Sequence, residues 1–442
     1  MTQTQSAPPA TLAPAAGPGT ALQPPAAQAP SRRGAIAQWF DGTPGRMRAF
    51  LILAGAMSVI FGLAAAQGFS QSDGALDRAR ANTAQLVRIQ AIHTNLVSAN
   101  ADATNAFLVG GLEPPDQRAH FVNSMAAAAG LIAEAATAQP ADRDVLGALN
   151  KTLITYEGLI EQARANNRQG LPIGSQYLRD ANSVLQDDSL PLVKALVEAN
   201  EKRVDTEFDG ISYGTIWVVA GGLLALVVFG ITLRWLARRT HRYVNVPIAA
   251  GAVLVLLTTA VGGIALAGAS GSAKDTRNSE YERTLALSRA RIAAYDARSN
   301  ESLTLIARGS GDQFDKAYNA AAGQVDDQLG KLGSNGADLT QKWGAYKAVH
   351  AQVRKKDGDE GNWDAAVAMA VGKDKANSSV DTFGAFDRSS NDQLNTTSTA
   401  VQSQLKNTRD GLPPIGWLGV PIGIAAALLV AWGMSQRLEE YR

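Results

Sequence analysis

Four stretches of this chain run for about twenty residues without a single charged side chain: 49–66, 211–233, 246–268 and 412–434. At 1.5 Å per residue, each is long enough to cross a hydrocarbon core of about 30 Å. Four such runs would be out of place in the core of a soluble protein. The first is also a poor signal peptide, because 48 residues precede it. The sequence therefore predicts four transmembrane helices, at 46–66, 211–233, 246–268 and 412–434.

Flanking charge sets the expected orientation. Residues 1–48 hold Arg32, Arg33, Arg46 and Arg48 against one acid, Asp41. The connection 234–245 holds Arg234, Arg238, Arg239 and Arg242 with no acid. Both are expected in the cytoplasm, together with the tail 435–442. Residues 67–210 and 269–411 would then form two large extracytoplasmic domains. Residues 1–45 are rich in Pro and Ala and lack the apolar content for a core, so disorder is expected there. Trp39 and Phe40 beside Arg46 and Arg48 suit an inner headgroup layer or a docking point for a cytoplasmic partner.

The layout repeats at an offset of about 200 residues. RIQAIHTNLVSANADATNAFLVGG (88–111) lies over SRARIAAYDARSNESLTLIARGSG (288–311), which sets Asn100 on Asn300 and Thr104 on Thr304. Ala181-Asn182-Ser183 corresponds in the same way to Ala376-Asn377-Ser378. Ala, Leu, Gln, Arg and Glu dominate both domains, and β-branched alternation is scarce. Breakers at Gly110-Gly111, Pro114-Pro115, Pro140, Gly170 and Pro172 divide the first into helices over about 73–109, 116–138, 142–167 and 175–209. A kink is expected over 187–191. The second reads as helices over about 273–308, 311–332, 337–357 and 374–408. The expectation is an all-α protein with two tandem extracytoplasmic four-helix bundles related by internal duplication.

Residue types exclude much chemistry. There is no Cys, and the four His (His93, His120, His241 and His350) are scattered. That removes thiol chemistry and argues against a metal centre, so no cofactor is expected. No GxSxG, HExxH, Walker A or kinase signature occurs, and no enzymatic activity is expected. With 41 basic and 40 acidic residues there is no net field for nucleic acid. The apolar runs lack the central ionisable groups that mark transport pathways. Their Gly55, Gly62, Gly221, Gly222, Gly262 and Gly263 would permit close helix contact.

Candidate extracytoplasmic contact residues are Asn100, Asp102 and Asn105, with Asn300 and Glu301, near the far ends of the two bundles. Arg78, Arg80 and Arg88, and separately Arg283, Arg289 and Arg291, are placed to receive a carboxylate or to form ion pairs. The first domain carries 12 basic and 18 acidic residues over 67–213, the second 19 of each over 269–411. The run Arg354-Lys355-Lys356 is thus a candidate contact for an acidic surface. Trp39, Arg46, Arg238 and Arg239 are candidate cytoplasmic relay residues.

In composition and flanking spans, residues 67–210 and 269–411 resemble the four-helix-bundle sensory domains of bacterial chemoreceptors and histidine kinases. The whole chain resembles a more specific family through its length, duplicated bundles, Pro/Ala-rich start and WFDGTPGRMR at 39–48. These are actinobacterial four-span membrane signalling proteins associated with a glutamine-binding-type lipoprotein and a soluble Ser/Thr kinase. The resemblance implies relay of amino-acid status, glutamate or aspartate, from the lipoprotein outside to the kinase inside. Apart from it, the expected partners are the lipid bilayer and a second copy of the chain. The expected function is a non-enzymatic sensor or signal relay. A structural envelope scaffold and an accessory transporter subunit are the alternatives.

Overall fold

The computed structural model describes residues 42–109, 112–240, 245–372 and 377–439. Within these the fold is all-α, with no strand. Helix α1 runs unbroken over Gly42–Val109, 68 residues and about 100 Å. It is followed by α2 (Pro115–Ala138), α3 (Arg143–Arg168), α4 (Ile173–Ser183) and α5 (Leu190–Gly210). Then come α6 (Tyr213–Thr240), α7 (Val246–Thr276), α8 (Glu282–Ile306) and α9 (Asp312–Lys331). The chain ends with α10 (Ala337–Arg354), α11 (Trp363–Val371), α12 (Ser379–Asp410) and α13 (Ile415–Glu439).

Wider π-helical turns join α4 to α5 over Val184–Ser189 and α7 to α8 over Arg277–Tyr281. The first has a cause in the sequence. Pro191 supplies no N–H to the carbonyl one turn earlier, and Ser189 donates its hydroxyl to Val184 O (3.3 Å) and to Thr152 Oγ1 (2.7 Å). The kink expected over 187–191 is thus a local widening of a helix that continues. The last span begins three residues later than expected, at Ile415, because Pro413-Pro414 break the helix after Gly411.

The protein divides into an apolar bundle and a polar head. The bundle combines the first part of α1 with α6, the first part of α7, and α13 around a core that includes Phe61, Phe229, Val255 and Val430. Small residues close the crossing of α1 with α13. A Cβ on Gly62 would meet the Gly419 carbonyl oxygen at 2.6 Å and the Gly423 Cα at 2.8 Å, and one on Gly423 would meet Ser58 O at 2.6 Å. Ser58, Gly62 and Ala66 on α1, spaced by four, thus face Gly419 and Gly423 on α13. Of the glycines picked out in the sequence, Gly62 and Gly222 sit at such approaches, whereas Gly55 faces open space. Apolar side chains such as Ile60, Leu224, Ile264 and Leu428 cover the outside of the bundle and are exposed.

The head holds both halves around one core. Ile89 and Leu96 of α1, Phe121 of α2, Tyr156 of α3 and Leu178 of α4 belong to the same buried cluster as Ala290 of α8, Val325 of α9 and Trp343 of α10. Helices α1 and α8 lie at its centre, and residues 99–106 of α1 are buried on every side. The extra stretch around Trp363 is α11, whose Trp363 donates its indole N–H to Leu305 O at 2.8 Å.

Candidate functional site

The centre of the head is polar. Asn100 on α1 is fully buried and joins four helices. Its amide donates to Asn182 Oδ1 on α4 (3.0 Å) and to Ser299 Oγ on α8 (2.8 Å), and its oxygen accepts from the Tyr156 hydroxyl on α3 (3.2 Å). Asp102 lies one step further along. Burial pushes its carboxyl up to about 6, against the pull of Arg298 and His120. Asn105 is buried, with an amide nitrogen that has no partner.

In the second half, Glu301 is buried and sits 2.7 Å from His350 Nδ1, while the His350 ring stacks on Tyr318 with centroids 3.4 Å apart. Asn300 donates to Asp296 O on its own helix. The sequence expectation set these five residues at the far ends of the bundles for an approaching partner. The structure places four of them in the interior, because α1 and α8 are the inner helices of a shared head. Thr104 and Thr304 do match, each donating to the carbonyl four residues back, Asn100 O and Asn300 O.

Five of the six arginines placed to meet carboxylates do so within the chain, Arg283 with Glu280 of its own helical stretch among them (3.0 Å). Arg78 pairs with Glu207 (2.9 Å), Arg88 with Glu134 (3.5 Å), Arg291 with Asp387 (3.0 Å), and Arg289 with Glu201. In the basic run, Arg354 is held by Asp315 and Asp357, each at 2.9 Å. Two further arginines tie the halves together just beyond the apolar bundle. Arg277 reaches Asp205 (2.6 Å) and Asp209 (3.4 Å) at the end of α5, and Arg409 of α12 reaches Asp73 (2.9 Å) and Asp77 (3.1 Å) on α1. The sequence reading had not singled out either one.

Two of the cavities among the described residues of the head bear on function. A basic cleft of about 740 Å³ lies within the first half, where Arg78, Arg88, Lys202 and Arg203 meet. Buried Asp142 anchors its wall, accepting from Arg203 (2.8 Å), Asn200 (3.0 Å) and Gln85 (3.2 Å). Burial alone would raise the Asp142 carboxyl, but those three donors hold it below the usual carboxylate range. A groove of about 610 Å³ lies between the halves. Its polar lining includes Gln90 and His93 from α1, Gln186 from the π-helical turn, Lys194 from α5 and Asp296 from α8. Burial pulls the His93 imidazole down to about 4, so it is neutral at pH 7. Desolvation raises the Asp296 carboxyl to about 7, although part of its surface faces the groove.

At the opposite end of the molecule, Arg46, Arg238 and Arg239 are exposed, and no hydrogen bond or ion pair among the described residues joins Arg46 to the other two. Trp39 lies outside the described residues. Asn245 caps α7, accepting from Ile248 N (3.4 Å), and donates to Gly433 O on α13 (2.8 Å), which ties two spans together. Groups of His, Asp and Glu able to hold a metal ion are absent among the described residues.

Among the described residues, five helices are long and apolar enough to cross a membrane. Residues 75–209 match the family model of an actinobacterial sensor domain. That region is the first half of the head, from the middle of α1 to the end of α5. The match supports a sensor role, and together with the apolar helices it marks the chain as a membrane protein. Comparison with curated proteins and with solved structures gave no match. The fifth apolar helix is α2, which the sequence reading had not included among its spans. Its Phe121, Ala128, Ile132 and Ala135 are buried in the head core beside Ile89 and Leu149.

Proposed function

We propose that this chain is a non-enzymatic sensor and signal relay with four crossings, two large extracytoplasmic segments packed as one head, and both termini in the cytoplasm. The observation that carries it is helix continuity. Helix α1 passes from the apolar bundle to the far end of the head without a break, and α7 continues into α8 through a single widened turn. A rotation or slide of either helix in the head is therefore transmitted to its other end, unless the helix bends between. The collar formed by Arg277 and Arg409 couples those movements across the halves.

Four crossings are favoured over five because insertion of α2 would remove Phe121 and Ile132 from a packed core. The positive-inside rule favours a cytoplasmic position for Arg46, Arg238 and Arg239. Their exposure suits the recruitment of a soluble partner. By the resemblance noted above, that partner is a Ser/Thr kinase, and a solute-binding lipoprotein carries amino-acid status to the head.

The test is co-purification from gently solubilised membranes, comparing the native chain with Arg238→Glu/Arg239→Glu. The relay predicts that a cytoplasmic protein is recovered with the native chain and lost with the variant, while extracytoplasmic partners remain. Recovery of envelope-building proteins alone, unchanged by the variant, would replace the relay with a scaffold.

A further inference from the structure

The groove between the halves has an unusual balance of groups. Asp296 contributes a carboxylate that is hydrogen-bonded to the Gln186 side chain, and no cation among the described residues lies within ion-pair distance of it. Gln90 is 2% exposed, yet its side-chain oxygen has no hydrogen-bond partner. A buried acceptor left in this condition destabilises the fold unless a donor reaches it. Neutral His93 adds no positive charge, and Arg289, which also lines the groove, is engaged by Glu201. Ile292, Val197 and Leu190 form apolar walls, suited to the methylene chain of a small molecule. Lys194 stands exposed at the rim and has no partner among the described residues.

We propose that this groove binds small molecules carrying a primary ammonium group, which Asp296 and Gln90 hold at its floor. An ammonium supplies three donors and one positive charge, matching a carboxylate with no ion-pair partner and an amide oxygen with no hydrogen-bond partner in the lining of the same groove. The volume falls within the range of ordinary small-molecule sites. The occupant touches both halves: α1 and the π-helical turn before α5 from the first, α8 from the second. Such widened turns are frequent at functional positions. Two sources share this chemistry. A diamine would engage the floor alone, whereas a zwitterion would also extend a carboxylate to Lys194. The site names a ligand class beyond the relay reading and does not require inward signalling, because binding is read on the chain by itself.

The experiment is calorimetric titration of the full chain in nanodiscs at pH 8, where Asp296 is mostly ionised. The probes are 1,5-diaminopentane, 5-aminopentanoate and pentanoate, which share a five-carbon chain and differ only at its ends. Binding of at least one amine, no binding of pentanoate, and a tenfold or greater loss in both Asp296→Asn and Gln90→Leu would support the site. Asp296→Asn relieves a desolvated charge, so an unchanged or raised melting temperature shows that its loss of binding is not unfolding. Preference for 5-aminopentanoate that Lys194→Ala abolishes identifies a zwitterion site. Equal or better binding of the diamine identifies a simple amine site. Absence of binding by both amines, equal binding of pentanoate, or undiminished binding in Asp296→Asn would overturn the proposal.

Discussion

The apolar bundle and the head share helices but close by opposite means. In the bundle, backbone lies against backbone, with Gly62 facing Gly419 and Gly423 so closely that a methyl group has no room. In the head, side chains fill the space between helices, and its centre contains Asn100, Asp102 and Glu301 as well as Leu and Tyr. The contrast follows from the solvent. Lipid offers no hydrophobic drive for helices to associate, so close contact and dispersion hold the bundle. Water drives burial in the head, which can then accommodate polar groups wherever they find partners. The bundle should tolerate almost no added volume at its crossings, and the head should depend on particular hydrogen bonds.

The largest expected effect is in the bundle. Gly62→Leu should cost about 3 kcal/mol or prevent assembly, because the obstructing atoms belong to the α13 backbone. Thermal unfolding in nanodiscs measures this, with Gly55→Leu as the matched control in open space. Next is Asn100→Leu in the head. It strands the Tyr156 hydroxyl, Asn182 and Ser299, and should cost about 2 kcal/mol. Equal tolerance of the two substitutions would erase the contrast.

A gain of about 1–2 kcal/mol is expected for Asp296→Asn at pH 8. The folded carboxyl titrates near 7 and the unfolded one near 4, so the folded chain binds the extra proton between these values. The native protein therefore loses stability as pH rises from 4 to 7, and the advantage of the Asn variant should fade as pH falls through that window. His93 acts in the opposite sense. With its folded value near 4, it lowers stability as pH drops from about 6.5 to 4, and melting curves of His93→Leu would isolate that contribution. The smallest effect belongs to the collar. Arg409→Gln should cost less than about 1 kcal/mol and lose even that in high salt, because its pairs are half exposed.

Much of the architecture was legible in the sequence. Uncharged runs marked the apolar helices, and Pro and Gly marked the turns at 113–115, 139–142 and 169–172. The merging of head helices with spans also followed, since no proline lies between residues 66 and 109 and only the isolated Gly68 and Gly74 interrupt the pattern. The side on which Asn100 sits was not legible. Helical periodicity reports one apolar stripe, but α1 and α8 are covered on every side by helices distant in sequence. Polar residues buried by such packing look like surface residues when read alone. The alanine-rich composition likewise hid Gly419 and Gly423 among many equivalent small residues. For the groove, one signal was available. At the offset of 200, Asp296 falls on Leu96 and Ala293 on His93. Each repeat thus places an ionisable group where the other has an apolar one, and such an exchange between matched buried helices marks a position worth examining.

The relay depends on α1 being one helix from bundle to head. Amide hydrogen exchange across residues 69–82, in the full chain in nanodiscs, tests this most directly. These residues lie beyond the apolar run, where the bilayer no longer shields the backbone. The account predicts slow exchange there, comparable with residues 86–100. Fast exchange over 69–82, like that of the Gly411–Pro414 break before α13, would uncouple the head from the membrane helices and contradict the account.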